Sequence, residues 1–156
     1  MKFYTLKTEQ AIPISFEEAW DFFTSPLNLT KITPNNMSFV VTSDYTENTK
    51  IYEGMLITYK VSPAGGIKVN WMTEITHVRE GEYFIDEQRF GPYALWHHEH
   101  HFKEIKGGIL MNDLLYYAIP YGPVGRLANS VFVAKKVRQI FEFREKAIRE
   151  LFGEFK

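Results

Sequence analysis

Hydrophobic and polar positions alternate along this chain in two rhythms, every second residue for most of its length and roughly every 3.6 residues near its end. Phe3 to Gln10 alternates and predicts a first strand. After Pro13-Ile14-Ser15, the segment SFEEAWDFF reads as a helix, with Ser15 as N-cap and Glu18 as its capping-box partner. Pro26 ends that helix, and PLNLTKIT forms a short second one that Pro34-Asn35-Asn36 breaks. From there to Pro120 the pattern is of strands. Met55, Ile57, Tyr59 and Val61 share a face against Leu56, Thr58 and Lys60, and Ile67, Val69, Trp71, Thr73 and Ile75 oppose Lys68, Asn70, Met72 and Glu74. One dry and one wet face indicates antiparallel strands. Turns are expected at Pro63 to Gly66, at Glu80-Gly81 and at Gly107-Gly108.

The rhythm changes after Pro120. RLANSVFVAKKVRQIFEFREKAIRELF, the 27 residues from Arg126 to Phe152, contains neither proline nor glycine. Leu127, Val131, Ala134, Val137, Phe141, Ile148 and Leu151 fall at three- and four-residue steps and predict one apolar stripe on a helix about 40 Å long. Lys135, Lys136, Arg138, Arg144, Lys146 and Arg149 occupy the other side. Glu142, Glu145 and Glu150 are interleaved with them, so this reads as a solvated face and not a nucleic-acid surface. The predicted architecture is α+β and a single domain over 1–156. A curved antiparallel sheet of about seven strands wraps a long C-terminal helix, with two short helices after the first strand.

Composition narrows the chemistry. There is no cysteine, which removes disulfides, thiol nucleophiles and thiolate metal sites together. A net charge of −1 gives no global attraction for nucleic acid or anionic lipid. The opening MKFYTLKTEQ lacks the apolar core of a signal peptide, and no apolar run approaches the roughly 20 residues of a membrane helix. A cytoplasmic protein without stable membrane insertion is the expectation. Aromatics are plentiful, with 13 Phe, 9 Tyr and 3 Trp, and suit a large core or the walls of an apolar pocket.

Four of the five histidines lie in LWHHEHHFKE, Leu95 to Glu104, so strand parity decides their chemistry. A two-residue turn at Gly107-Gly108 places Phe102 opposite Asp113, His100 opposite Leu115 and His98 opposite Tyr117. Trp96, His98, His100, Phe102, Asp113, Leu115 and Tyr117 then share the more apolar face, which is assigned inward. Leu95, His97, Glu99, His101, Lys103, Asn112, Leu114 and Tyr116 face out. The turn at Glu80-Gly81 adds Phe84, Asp86, Gln88 and Phe90 to the Trp71 face. An odd loop such as Gly91-Pro92-Tyr93 sets Asp86 opposite His98. Six polar side chains would thus be buried, which costs free energy unless they pair with one another, with water or with a ligand.

FxDxQxxGPYxxWxHxH (Phe84 to His100), DLLYYAIPYGPVGRLA (Asp113 to Ala128), and the early IPISFEEAWDFF with NLTKITP resemble the SRPBCC superfamily. This START-related, helix-grip group includes polyketide cyclases and dehydratases, lipid-transfer domains and plant pollen-allergen-like proteins, and the resemblance is nearest to its bacterial ligand-binding or cyclase-like branch. It spans almost the whole chain. It implies an internal hydrophobic cavity between sheet and C-terminal helix, and it supplies no universal catalytic residue. One scaffold hosts carriers, enzymes and sensors there.

The expected function is therefore carriage or sensing of a small, mostly hydrophobic molecule, such as a lipid or polyketide-like aromatic. Trp71, Trp96, Phe90 and Phe141 would supply apolar wall, while Asp86, Gln88, His98, His100, Asp113 and Tyr117 would orient the guest's polar groups. One alternative is a cofactor-independent cyclase or dehydratase using an Asp–His pair, with His98, His100, Asp113 and Tyr117 as catalytic candidates. Another is an interaction module with a merely structural polar interior. His98 and His100 with Asp86 or Asp113 are chemically sound ligands for zinc, but no outer partner for them can be located from sequence, and no metal or other cofactor is expected. The outer set His97, Glu99 and His101 suits adventitious zinc or nickel. Loops at Pro34 to Met37, Gly91 to Tyr93 and Tyr121 to Gly125 are candidates for gating the cavity.

Overall fold

The computed structural model describes residues 2–62 and 67–155. Its strands are β1 (Tyr4–Ile12), β2 (Val40–Val41), β3 (Leu56–Val61), β4 (Val69–Arg79), β5 (Tyr83–Phe90), β6 (Leu95–Ile105) and β7 (Gly108–Ala118). They form a 7-stranded antiparallel sheet in the order β1-β7-β6-β5-β4-β3-β2. Helix α1 (Phe16–Phe23) follows β1, with 3-10 segments at Pro26–Ile32 and Asn35–Met37 behind it. Ser15 caps α1 as its sequence predicts, its hydroxyl accepting from the Glu18 backbone N–H at 3.1 Å. After β7 come α2 (Gly122–Ala128), a π turn at Asn129–Val133 and α3 (Ala134–Phe152). Among the described residues, no helix is long and apolar enough to cross a membrane.

The dry face of the sheet meets α3 over only part of its width. Val137 and Phe141 pack with Leu115 and Tyr117, and Ala147 and Ile148 pack with Ile109 and Met111. Met55, Ile57, Tyr59 and Ile75 instead gather with Leu29, Phe39 and Ile51 from the connecting segments. Seven strands spaced about 4.8 Å apart span roughly 29 Å, whereas a helix with its side chains is about 10–12 Å across. One helix cannot cover such a sheet, and loops and short helices must complete the roof.

Several predicted details shift. The β6–β7 turn is Lys106-Gly107, with Gly107 at φ 89° and Ile105 paired to Gly108. His100 therefore sits opposite Asp113, His98 opposite Leu115, Trp96 opposite Tyr117 and Phe102 opposite Met111. The register moves by two, so every side chain keeps its predicted face. The β4–β5 turn holds three residues, since Arg79 pairs with Tyr83, and that odd step would turn Asp86 outward. A register irregularity between Ile75 and His77 restores the parity, and Ile75 then opposes Asp86. A second irregularity, between Met72 and Thr73, reverses parity again and aligns Phe90 with the outward Met72. Phe90 is 62% exposed and lies outside the interior expected for it.

The long helix also differs. It begins at Gly122, and the π turn interrupts its rhythm. Val137, Phe141 and Ile148 are buried, but Leu127 before that turn and Val131 within it are exposed, as is Leu151 at the far end. The extra residue of the π turn rotates the preceding segment by about 100° relative to α3, which takes Leu127 off the stripe, and Val131 sits inside the turn, where the helical spacing breaks. Ile67 is likewise exposed and precedes β4. The turn expected at Pro63 to Gly66 lies outside the described residues.

Candidate functional site

Alternation along β6 aims His98 and His100 inward, and both are buried. Asp113 comes from β7 and Asp86 from β5, across from His100 and His98 respectively. His98 Nε2–H donates to Asp113 Oδ1 at 3.0 Å, and His100 Nε2–H donates to Asp86 Oδ2 at 2.7 Å. The remaining ring nitrogens complete a closed figure. His98 Nδ1 is 3.5 Å from Asp86 Oδ2, and His100 Nδ1 is 2.9 Å from Asp113 Oδ1. That last contact lacks hydrogen-bond alignment, and His100 Nδ1 is buried without a partner. The two rings lie 3.8 Å apart between centroids, with Phe84 stacked on His100 at 4.2 Å and Phe141 edge-on to His98 at 5.4 Å.

The four groups split their proton affinities. Burial pushes His98 down, and the neighbouring His100 adds to this against the pull of Asp113 and Asp86. Burial acts on His100 in the same direction, but its contacts with Asp113 and Asp86 outweigh it and hold the ring above the ordinary histidine range. Burial opposes charge on both carboxylates too. His100 and His98 overcome it, keeping Asp86 below the usual range and Asp113 well below it. Arg144 adds a permanent positive charge to the cluster, with Nη1 4.0 Å from Asp113 Oδ1.

A cavity of about 170 Å³ opens beside this cluster. Its apolar wall comes from Ile57, Tyr59 and Ile75 of the sheet, Phe22, Phe23, Leu29 and Ile32 of the short helices, and Ile140 of α3. Trp71, Tyr93 and Trp96 form an aromatic corner with centroids 4.8–5.5 Å apart. Asp86, His98, His100, Lys136 and Arg144 bring the acidic and basic side chains of the lining, with Ser25, Asn28, Thr33 and Thr73 as its neutral polar residues.

Of the residues expected to meet a guest, Trp71, Asp86, Trp96, His98 and His100 line this cavity. Asp113 and Phe141 stand one layer back, beside a smaller cleft shared with Arg144. Tyr117 is buried among Tyr4, Tyr93, Trp96 and Val137 and does not reach the lining. Gln88 spends its amide on the loop: its Nε2 donates to Tyr93 O at 2.7 Å, and its Oε1 accepts from Tyr93 N–H at 3.2 Å. It positions Tyr93 and does not itself line the cavity. Of the loops expected at the entrance, Met37 and Tyr93 border the cavity, while Tyr121 points to solvent at 83% exposure. On the outer face, His97, Glu99 and His101 are bonded to one another and to Glu87, with N···O distances of 2.6–3.3 Å.

Two lining residues lie on the helix face assigned to solvent from sequence, Lys136 and Arg144. Arg144 is 11% exposed in its side chain, and its guanidinium carbon lies 5.1 Å from the centre of the Phe141 ring. The signal was present: Phe141, Arg144 and Ile148 follow the three- and four-residue steps of the buried stripe, so the arginine occupies a core position.

No protein-family model matches the chain, and no curated protein matches it. Solved structures do. CV1439 from Chromobacterium violaceum superposes with a TM-score of 0.72 at 13% identity, over 97% of this chain and 98% of that one. Ara h 8.0201 gives 0.60 at 12% identity, over 96% and 99%. A Thalictrum norcoclaurine synthase variant, solved with a transition-state analogue, gives 0.64 at 9% identity, over 96% of each chain. Identities this low establish the fold alone. The chain has the helix-grip α+β fold, the arrangement implied by its SRPBCC-like sequence features.

Proposed function

We propose that this protein carries or senses a small, mostly hydrophobic molecule with at least one polar group. The observation behind this is a cavity that joins an aromatic and aliphatic wall to a patch of buried charge. Buried polar groups at the edge of an apolar space favour a guest that satisfies them, and Arg144 Nε is buried with no hydrogen-bond partner. An apolar cavity of about 150 Å³ already holds a benzene-sized guest. The space of about 170 Å³ here suits a guest of aromatic-ring size, such as a polyketide-like aromatic. A lipid chain needs the Met37 and Tyr93 loops to part.

Mass spectrometry of solvent extracts from purified protein tests this reading. A stoichiometric aromatic or acyl compound is expected, and Ile57→Trp, which fills the cavity from the sheet side, should cut its occupancy at least tenfold while the protein stays folded. Empty extracts, together with no thermal shift across aromatic and acyl libraries, would overturn it.

A second reading, a cyclase or dehydratase, draws on the Asp113–His98 pair. A neutral histidine with its tautomer fixed by a carboxylate can remove a proton next to a carbonyl. Under that reading His98→Gln abolishes turnover of a bound polyketide-like substrate while leaving its affinity within about twofold. Under the carrier reading there is no turnover to lose.

A further inference from the structure

We propose that Asp86, His98 and His100 form a binding site for a divalent first-row transition metal, with open coordination positions facing the cavity. Asp86 Oδ2 lies 2.7 Å from His100 Nε2 and 3.5 Å from His98 Nδ1. One ligand atom from each of the three residues falls within a 4.8 Å set. Ligands about 2.0–2.1 Å from a zinc-like ion sit about 3.0–3.5 Å from one another, so small movements bring this trio to bonding geometry. Two imidazoles and one carboxylate, without sulfur, suit zinc or ferrous iron.

Proton counting strengthens the case. Each imidazole presents one nitrogen to Asp86 and the other to Asp113, while two neutral rings carry only two N–H groups between them. If both N–H groups donate to Asp113, Asp86 Oδ2 and two nitrogen lone pairs converge on one point, where a single cation satisfies all three. Without metal, His100 directs an N–H at Asp86, and its Nδ1 is left buried without a partner 2.9 Å from Asp113. A metal at the Asp86 corner takes His100 as a neutral ligand through Nε2, leaving the ring's one N–H on Nδ1 to donate to Asp113. Asp113 then holds both ligand rings from behind, the outer carboxylate that histidine–metal sites use to fix tautomer and orientation. Arg144 approaches Asp113 and balances the charge of that outer carboxylate. This inference goes beyond ligand binding and draws on the same polar lining, but its test reads a metal ion and not an organic guest.

Chelator-dialysed wild-type protein should be titrated with Zn²⁺ by calorimetry and with Co²⁺ by visible absorption. One equivalent is expected, with ligand-field bands for Co²⁺. Asp86→Asn, His98→Gln and His100→Gln should each weaken binding at least 100-fold, and Asp113→Asn about 10- to 100-fold. The outer-face variant His97→Gln/His101→Gln should leave the equivalent intact. Wild-type NMR gives a readout that requires no substitution. Co²⁺ should broaden the indole N–H of Trp96, whose ring lies 6.5 Å from that of His98. Absence of a stoichiometric equivalent, or binding lost only in the outer-face variant with Trp96 unaffected, would overturn the proposal. Either outcome leaves the extracted-ligand result untouched, so the two readings fail separately.

Discussion

Asp113 shows how much one oxygen can hold in place. Its Oδ1 faces His98 Nε2, His100 Nδ1 and Arg144 Nη1 within 4.0 Å, in a side chain only 8% exposed. Removing its charge takes away the acceptor that two buried histidines and an arginine share, so Asp113→Asn should cost about 3 kcal/mol in urea unfolding of the metal-free protein. The pH dependence follows from the lowered proton affinity. A carboxyl held below its unfolded value of about 3.9 contributes its full stabilisation above that pH and loses it as the pH falls towards the folded value. The wild-type acid limb should therefore decline below about pH 4, and Asp113→Asn should flatten it. An unchanged limb would mean that this carboxylate is not ionised in the folded protein. Period two and the switch to helical spacing made the inward faces of β6 and β7 legible, and with them His98, His100 and Asp113. Arg144 was not legible, because charge suggests solvent unless its stripe position is weighed first.

At the scale of elements, close approach fixes the sheet's geometry. A methyl group on Gly108 would lie 2.1 Å from the Ile12 carbonyl oxygen, where the end of β1 crosses the start of β7. Gly108→Ala should destabilise by about 2 kcal/mol through overpacking, read in denaturant unfolding, and more where the strand end has to lift. Gly107→Ala meets open contact distances but a positive φ, so its cost comes from backbone strain alone. Ser15→Ala, which removes the α1 cap, should cost about 1 kcal/mol in the same assay. Faces along uninterrupted strands could be read from alternation. Irregularities could not, because the extra residues in β4 and β5 leave no mark in a polar–apolar pattern. The Phe90 assignment failed for that reason, while Asp86 came out inward because the odd turn and the first irregularity cancel. The helix stripe failed similarly at Leu127 and Val131, where a π turn in NSVFV carries no proline or glycine to announce it.

The topology of the whole molecule places its first strand against its last, with Tyr4 paired to Tyr117 and Ile12 to Ile109. Strands β3 to β7 can pair with sequence neighbours, but β1 closes a loop of about a hundred residues before it is rewarded. Substitutions that weaken β1 packing, such as Leu6→Ala, should chiefly speed unfolding and leave the refolding rate within about twofold, as a stopped-flow chevron would show. A refolding rate that fell in step with stability would place β1 in the nucleus instead. The same connectivity matters during synthesis. On the ribosome, β1 emerges long before β7 exists, so for most of translation its backbone donors and acceptors await a partner. Any neighbouring nascent chain offering a bare edge could claim them, and the hazard lasts until the 118th residue clears the exit tunnel.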